Sequence, residues 1–181
     1  MPAFYLTFIA VLLAGIGARD QVTVAGLAAR QGQRPGVLLV GIVTSVLTAV
    51  LAAYGARWML GTLPPPARTL FAASALAIAG VESMVVVPRR TLREPTNSLG
   101  ALVLVLLAQQ VTDSVRFLVV GLGVGLAGPW LSGAAGALGG AALMTFAWAR
   151  PDLLDTAAAR WTRRGVGAVL VLAALVMFLR R

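Results

Sequence analysis

Long apolar runs recur along this chain, and each is close to the ~20 residues that a helix needs to cross the hydrocarbon core of a bilayer. We draw six such segments, at residues 3–17, 36–60, 68–87, 99–127, 129–149 and 165–179. Aromatic residues lie near the ends of these segments, where amphipathic rings prefer the membrane–water interface; they are Tyr5, Trp58, Trp130, Trp148 and Trp161. The pattern predicts an all-α, polytopic membrane protein with six transmembrane helices.

Polar residues interrupt the first and the fourth of these segments. The first meets a polar stretch at residues 15–21 and resumes over 22–29, and the fourth meets one at 109–116 and resumes over 117–127. The tetrapeptide Val-Leu-Leu-Ala precedes both stretches, and its two copies stand 94 positions apart. Discontinuous helices at matching positions of two halves are typical of the binding site of a transporter.

The two interruptions divide the chain into repeats at residues 1–90 and 91–181, which together form a single membrane domain. Because three helices per half is an odd number, the halves are predicted to be inverted relative to each other. Alternate loops hold nine arginines on one side and four on the other. The positive-inside rule then places both termini outside the cytoplasm. The shortness of the chain and the lack of an added domain favour a membrane of the bacterial inner (plasma) type. A cleaved signal peptide is not expected, because no positive charge precedes the first segment.

Composition excludes several classes of function. The chain is 59% hydrophobic and 12% charged, with a mean hydropathy of +0.90, which is not the composition of a soluble domain. Its net charge of +9 comes from arginines in short loops, so nucleic-acid binding is not expected. Because His and Cys are both absent, a zinc site and a Ser–His or Cys–His nucleophile are excluded. We therefore expect no enzyme and no resident cofactor.

Asp20 and Asp113 lead the residues that could carry chemistry, because a carboxylate inside a bilayer is costly unless it is paired, hydrated or ligated. If the two interrupted helices cross, both carboxylates reach one cavity and could hold a hard cation with neutral oxygens around it. The side chains predicted to add those oxygens are Gln21, Thr23, Gln109, Gln110, Thr112 and Ser114. A carboxylate held away from water also takes up a proton more readily, so a proton could exchange for the cation.

A structural interpretation stays open beside this one. Arg19 adjoins Asp20, and Arg116 lies one helical turn beyond Asp113, so two ion pairs could neutralise the acids without any ligand. An arginine near the site would also repel a divalent cation. Glu82 either pairs near the cytoplasmic face, within two turns of the loop arginines 89 and 90, or takes part in a gate. Arg19 and Arg116 are the other candidates for coupling or gating.

The two polar stretches resemble the paired motif Glu-x-Gly-Asp-(Lys/Arg)-(Ser/Thr) of the six-helix manganese/calcium cation:proton antiporters of the lysine-exporter superfamily. In the first copy Gly17 and Arg19 match, while Gly15 and Ala18 stand at the acidic positions. In the second copy Asp113 keeps the aspartate and Gln110 replaces the glutamate.

The resemblance implies an inverted 3+3 fold and export of Mn²⁺ or Ca²⁺ in exchange for protons, through a site between the repeats. The ion would be the transported substrate, and the partners would be the lipid bilayer, the divalent cation and the proton. The oligomeric state, a homo-oligomer included, is left open. Two alternatives remain: a non-transporting structural or regulatory membrane protein of the same fold, and an exporter of a small organic solute.

Overall fold

The computed structural model describes residues 1–86 and 98–180, apart from the side chain of residue 155. These residues form eight α-helices and one 3₁₀ turn, with no strand in the described part of the chain. The helices are α1 (Pro2–Gly15), α2 (Arg19–Gln31), α3 (Pro35–Thr62), α4 (Pro65–Val85), α5 (Leu99–Val111), α6 (Ser114–Gly125), α7 (Pro129–Ala149) and α8 (Ala157–Leu179).

Two of the predicted spans are bent pairs of helices. The axis turns by 57° between α1 and α2 and by 51° between α5 and α6. At the first break Gly17 has a φ of +69°, a left-handed conformation that a side chain would strain. Four helices (α3, α4, α7 and α8) are long and apolar enough to cross a membrane, and there are six spans if each bent pair counts as one. The predicted class, a polytopic all-α membrane protein, is confirmed.

Large apolar side chains lie on the outside of the bundle, while small and polar ones lie within. Leu39, Leu104 and Val169 are each more than 60% exposed, whereas Ala49, Ser45 and Gln110 are fully buried. A surface this apolar is suited to lipid rather than water. Small residues in the interior let helix backbones approach closely, which is how membrane helices pack without a hydrophobic driving force between them.

The helices follow the same order in each half of the chain: a bent pair and then two long helices. The long helices pack across the halves, α4 on α8 and α3 on α7, while α6 packs against both α3 and α4. The inverted relation of the halves, and the boundary between residues 90 and 91, stay predictions.

Two predicted boundaries were wrong. The first break contains only residues 16–18, so Arg19 and Asp20 begin α2 instead of lying in a polar loop. The last helix begins at Ala157, eight residues before the predicted segment, because the Thr156 hydroxyl accepts a hydrogen bond from the backbone N–H of Ala159 and caps it. Three of the nine arginines counted in the loops on one side therefore lie in α8; they are Arg160, Arg163 and Arg164. The loop arginines 89 and 90 lie outside the described residues.

Candidate functional site

The two breaks place Asp20 and Asp113 on one small cavity. Asp20 is the second residue of α2 and Asp113 is the N-cap residue of α6, and they are 5% and 8% exposed. The cavity measures about 10 Å³, roughly the minimum that accommodates one water-sized particle. Its lining comprises both aspartates, Arg116 and small or apolar residues of α1, α6 and α7. Both acids lie at helix N-termini, where the partial positive charge of the helix end attracts a negative charge.

A buried chain of hydrogen bonds orients Asp20. Its Oδ1 accepts from the backbone N–H of Gln21 at 2.8 Å, and its Oδ2 accepts from Nε2 of Gln110 at 3.0 Å. Gln110 in turn accepts at Oε1 from the Thr48 hydroxyl at 3.1 Å. One carboxylate therefore connects α2, α5 and α3, and each bond suits an ionised group that can only accept.

Gln21 fixes the first break instead of lining the cavity. Its Oε1 accepts from the backbone N–H of Gly17, and its Nε2 donates to the carbonyl oxygen of Leu143 on α7 at 3.1 Å. The side chain is fully buried, so both ends of its amide are satisfied inside the protein. The residue holds the start of α2 against α7.

Asp113 is held less tightly than Asp20. Its carboxylate does not make the side-chain capping hydrogen bond that is usual at the start of a helix. The side chain is nevertheless buried and borders the cavity. A buried carboxylate in this position, close to the backbone N–H of Val115 but without a capping bond, can contact a ligand in that cavity.

Arg116 is the third charged residue of the cavity lining, and it is anchored on the far side. Its Nη2 donates to the Ser45 hydroxyl at 2.7 Å, and its Nη1 donates to the Gly136 carbonyl at 3.3 Å. Gly140 makes room for this pair, because a Cβ atom at that position would overlap the Ser45 hydroxyl and lie 3.0 Å from Nη2. Groups of α3 and α7 therefore hold this side chain of α6 in place.

Glu82 connects both breaks to α4. Its Oε1 accepts from Arg19 Nη2 at 3.2 Å, and its Oε2 accepts from the backbone N–H of Ser114 at 3.2 Å. We call Arg19, Glu82 and Ser114 the Glu82 bridge. The Arg19 side chain is 40% exposed and that of Glu82 is 15% exposed, so the bridge lies closer to the surface than the cavity acids do.

Arg163 of α8 is a site residue that the sequence reasoning missed. It is 8% exposed, its Nε donates to the Ser83 carbonyl at 3.3 Å, and its Nη1 donates to the carbonyl of Gly17 in the first break. The sequence shows it only as one of four arginines between two apolar runs. The helix cap at Thr156 is the signal that would have placed it within α8.

Arginines also occupy carbonyl groups that the breaks set free. Arg163 binds the Gly17 carbonyl at the first break, and Arg19 Nη2 donates to the Thr112 carbonyl at the second, at 3.2 Å. These two oxygens are therefore engaged with arginines. A cation in the cavity would depend on the carboxylates of Asp20 and Asp113.

The ion pairs predicted by the structural interpretation are not the ones formed. Arg19 pairs with Glu82 and not with its neighbour Asp20. Arg116 turns to Ser45 and Gly136, and among the described residues it makes no ion pair with Asp113. Hydrogen bonds to α3 and α7 hold the Arg116 guanidinium instead, while Arg116 and Asp113 both line the cavity.

The predicted neutral ligands are dispersed. Gln109 Oε1 accepts from the Thr23 hydroxyl at 3.1 Å, and the exposed Thr112 hydroxyl bonds to carbonyls of its own helix. Ser114 contributes its backbone N–H to Glu82. Gln110 alone among these residues touches a cavity acid through its side chain. Within residues 1–86 and 98–180, no three acidic side chains form a group that could hold a metal ion together.

Comparison with known families bears on the first half of this arrangement. Residues 3–89 match the family model described as divalent cation/proton antiporter GDT1. The predicted resemblance to a cation/proton antiporter family is confirmed. The match covers just under half of the chain and includes the first break, Asp20 and Glu82.

The GDT1 family implies transport of a divalent cation against protons. Because it is a family of transporters, the match agrees with the expectation that the chain is not an enzyme. Asp113, Gln110 and Arg116 lie beyond the matched residues. No curated protein and no solved structure matches the chain.

Proposed function

We propose that this protein exports Mn²⁺ or Ca²⁺ in exchange for protons, and that Asp20 and Asp113 bind the cation between the two halves. The observation that carries the proposal is that two breaks, 93 residues apart in their aspartates, place both carboxylates on one cavity. The match of residues 3–89 to the GDT1 antiporter family supports the class of transport. Carboxylate oxygens are the ligands that hard divalent cations prefer.

The same pair of acids would carry the protons. With no histidine in the chain, carboxylates are the side chains in the cavity that can release and take up protons. A divalent cation would bind when both are ionised, and protonation would release it. Gln110 would keep Asp20 oriented in either state.

The Glu82 bridge would serve as the gate on one side of this site. It ties the start of α2 and the start of α6 to α4, and it lies between the cavity and the surface. Withdrawal of Glu82 from both Arg19 and Ser114 would release both breaks together. In an inverted repeat this is the type of movement that exposes a central site to alternate sides of the membrane. The predicted orientation places the side with more arginines in the cytoplasm.

A cation-dependent change in thermal stability tests binding directly. In detergent, Mn²⁺ and Ca²⁺ at saturating concentration are expected to raise the Tm of the protein, because a ligand at 100 times its Kd adds about 2.7 kcal/mol to folded-state stability. Na⁺ at equal ionic strength is the salt control. Asp113→Asn is expected to lose the response.

Asp152→Asn is the matched control variant, since Asp152 is exposed and pairs with Arg150 away from the cavity. It should keep the full shift in Tm. The absence of a shift in folded wild-type protein, or an equal shift in Asp113→Asn, would contradict the assigned site.

A further inference from the structure

The cavity that borders Asp20 and Asp113 also holds a permanent positive charge. Arg116 lines it and is 6% exposed, and a guanidinium group does not lose its proton in a protein. With both aspartates ionised, the charged groups of the lining therefore carry one net negative charge. Two carboxylates by themselves would carry two.

Groups of the neighbouring helices hold the Arg116 guanidinium in place. Ser45 on α3 and Gly136 on α7 accept its hydrogen bonds, and the missing side chain at Gly140 leaves space for the Ser45 hydroxyl and the guanidinium that it binds. The interior here is surrounded by helices, so its charge is screened much less than a surface charge would be. Arg116 is consequently fixed beside the cavity.

We propose that Arg116 is a specificity-determining residue, whose fixed charge weakens the binding of divalent cations and narrows the preference for them over monovalent cations. The inference rests on the proposed function, in which Asp20 and Asp113 hold the transported cation. Coulomb repulsion scales with the product of the charges, so it opposes Mn²⁺ twice as strongly as Na⁺ at the same position. Removal of the charge therefore improves divalent binding more than monovalent binding.

Titration calorimetry of Mn²⁺ and Na⁺ on purified Arg116→Gln, Arg116→Lys and wild-type protein in detergent tests this assignment. Arg116→Gln is expected to bind Mn²⁺ at least tenfold more tightly than wild type, with a smaller gain for Na⁺. Arg116→Lys keeps the charge and is expected to stay near the wild-type Kd. Where Arg116→Gln does not give monodisperse protein, Arg116→Met replaces it, because methionine keeps much of the length and apolar bulk.

Arg68→Gln is the matched control for loss of an arginine. Arg68 donates to the carbonyls of Leu60 and Leu63, and it lies 14 residues before Glu82 on α4, roughly 21 Å along the helix. It should leave the Mn²⁺ affinity unchanged.

The outcomes separate this inference from the function on which it rests. Mn²⁺ binding that is tighter in Arg116→Gln, but not in Arg116→Lys or Arg68→Gln, supports the role of Arg116. Equal Mn²⁺ affinity in wild type and Arg116→Gln overturns that role and leaves the cation site standing. An absence of Mn²⁺ binding in every folded variant overturns the proposed function and the inference together.

Discussion

Replacement of Asp113 by asparagine is expected to reduce Mn²⁺/proton exchange to the background of empty vesicles. The substitution keeps the size of the side chain and removes one of the two carboxylates that border the cavity. Loss of one negative charge beside a divalent ion should lower its affinity by on the order of 100-fold, about 2.7 kcal/mol. It also removes one of the two groups that carry a proton.

The fold should survive this change, because asparagine keeps the size of the side chain and is as favourable as aspartate at the N-cap of a helix. The measurement is Mn²⁺ uptake into proteoliposomes with an imposed pH gradient, and size-exclusion profiles establish that the variant is folded. Asp152→Asn, which alters an exposed acid, should transport like wild type. Undiminished uptake by folded Asp113→Asn would remove Asp113 from the mechanism.

Replacement of Gln110 by glutamate is expected to have opposite effects on the empty and the cation-bound protein. Gln110 Nε2 donates to Asp20 Oδ2 at 3.0 Å, and a glutamate would put a second carboxylate oxygen in place of that donor. Loss of the charged hydrogen bond and the new repulsion should lower the Tm of the empty protein by roughly 3–10 °C. Mn²⁺ should then stabilise the variant more than it stabilises wild type, because a third carboxylate adjoins the cavity.

The measurement is Tm with and without Mn²⁺ for Gln110→Glu and for the matched control Gln109→Glu. Gln109 accepts from the Thr23 hydroxyl through Oε1, so a glutamate there keeps that bond and adds its charge at the residue next to Gln110, on a side chain bonded to Thr23 and not to Asp20. Gln109→Glu should lower the Tm of the empty protein less than Gln110→Glu does, and Mn²⁺ should raise its Tm less. A Tm of Gln110→Glu that Mn²⁺ raises no more than that of wild type would contradict the placement of the cation next to Asp20.

The repeated breaks were predictable because each places polar residues inside an apolar segment. A polar stretch inside an apolar run has a cost, and the same conflict at Asp20 and Asp113 indicated one site made from two halves. The structure does bring these two side chains to one cavity. The long apolar helices were also predictable, since their length follows from the thickness of a bilayer.

The partners of the arginines were not predictable, because they come from distant parts of the chain. Sequence spacing favoured Arg19 with Asp20 and Arg116 with Asp113, but Arg19 pairs with Glu82, which is 63 residues away. Arg163 reaches Gly17 across 146 residues. Such contacts depend on which helices pack together, and α4 on α8 is a pairing that periodicity does not show.

Most of the predicted neutral ligands bond elsewhere, for a local reason. Amide and hydroxyl groups near a helix break first satisfy the backbone and each other, as Gln21 does with Gly17 and Leu143, and Thr112 does with its own helix. Proximity to a break in sequence is therefore a weaker sign of a ligand than a buried charge is.

The most direct test of the proposed antiport is the coupling between cation and proton movement. Wild-type protein in proteoliposomes with a trapped pH indicator is given Mn²⁺ outside, at equal pH on both sides, and the internal pH is recorded together with Mn²⁺ uptake. Antiport through Asp20 and Asp113 predicts that Mn²⁺ entry drives protons out and alkalinises the interior, and that both signals disappear together in Asp113→Asn. Mn²⁺ entry with no change of internal pH, or neither signal from folded wild-type protein, would contradict it.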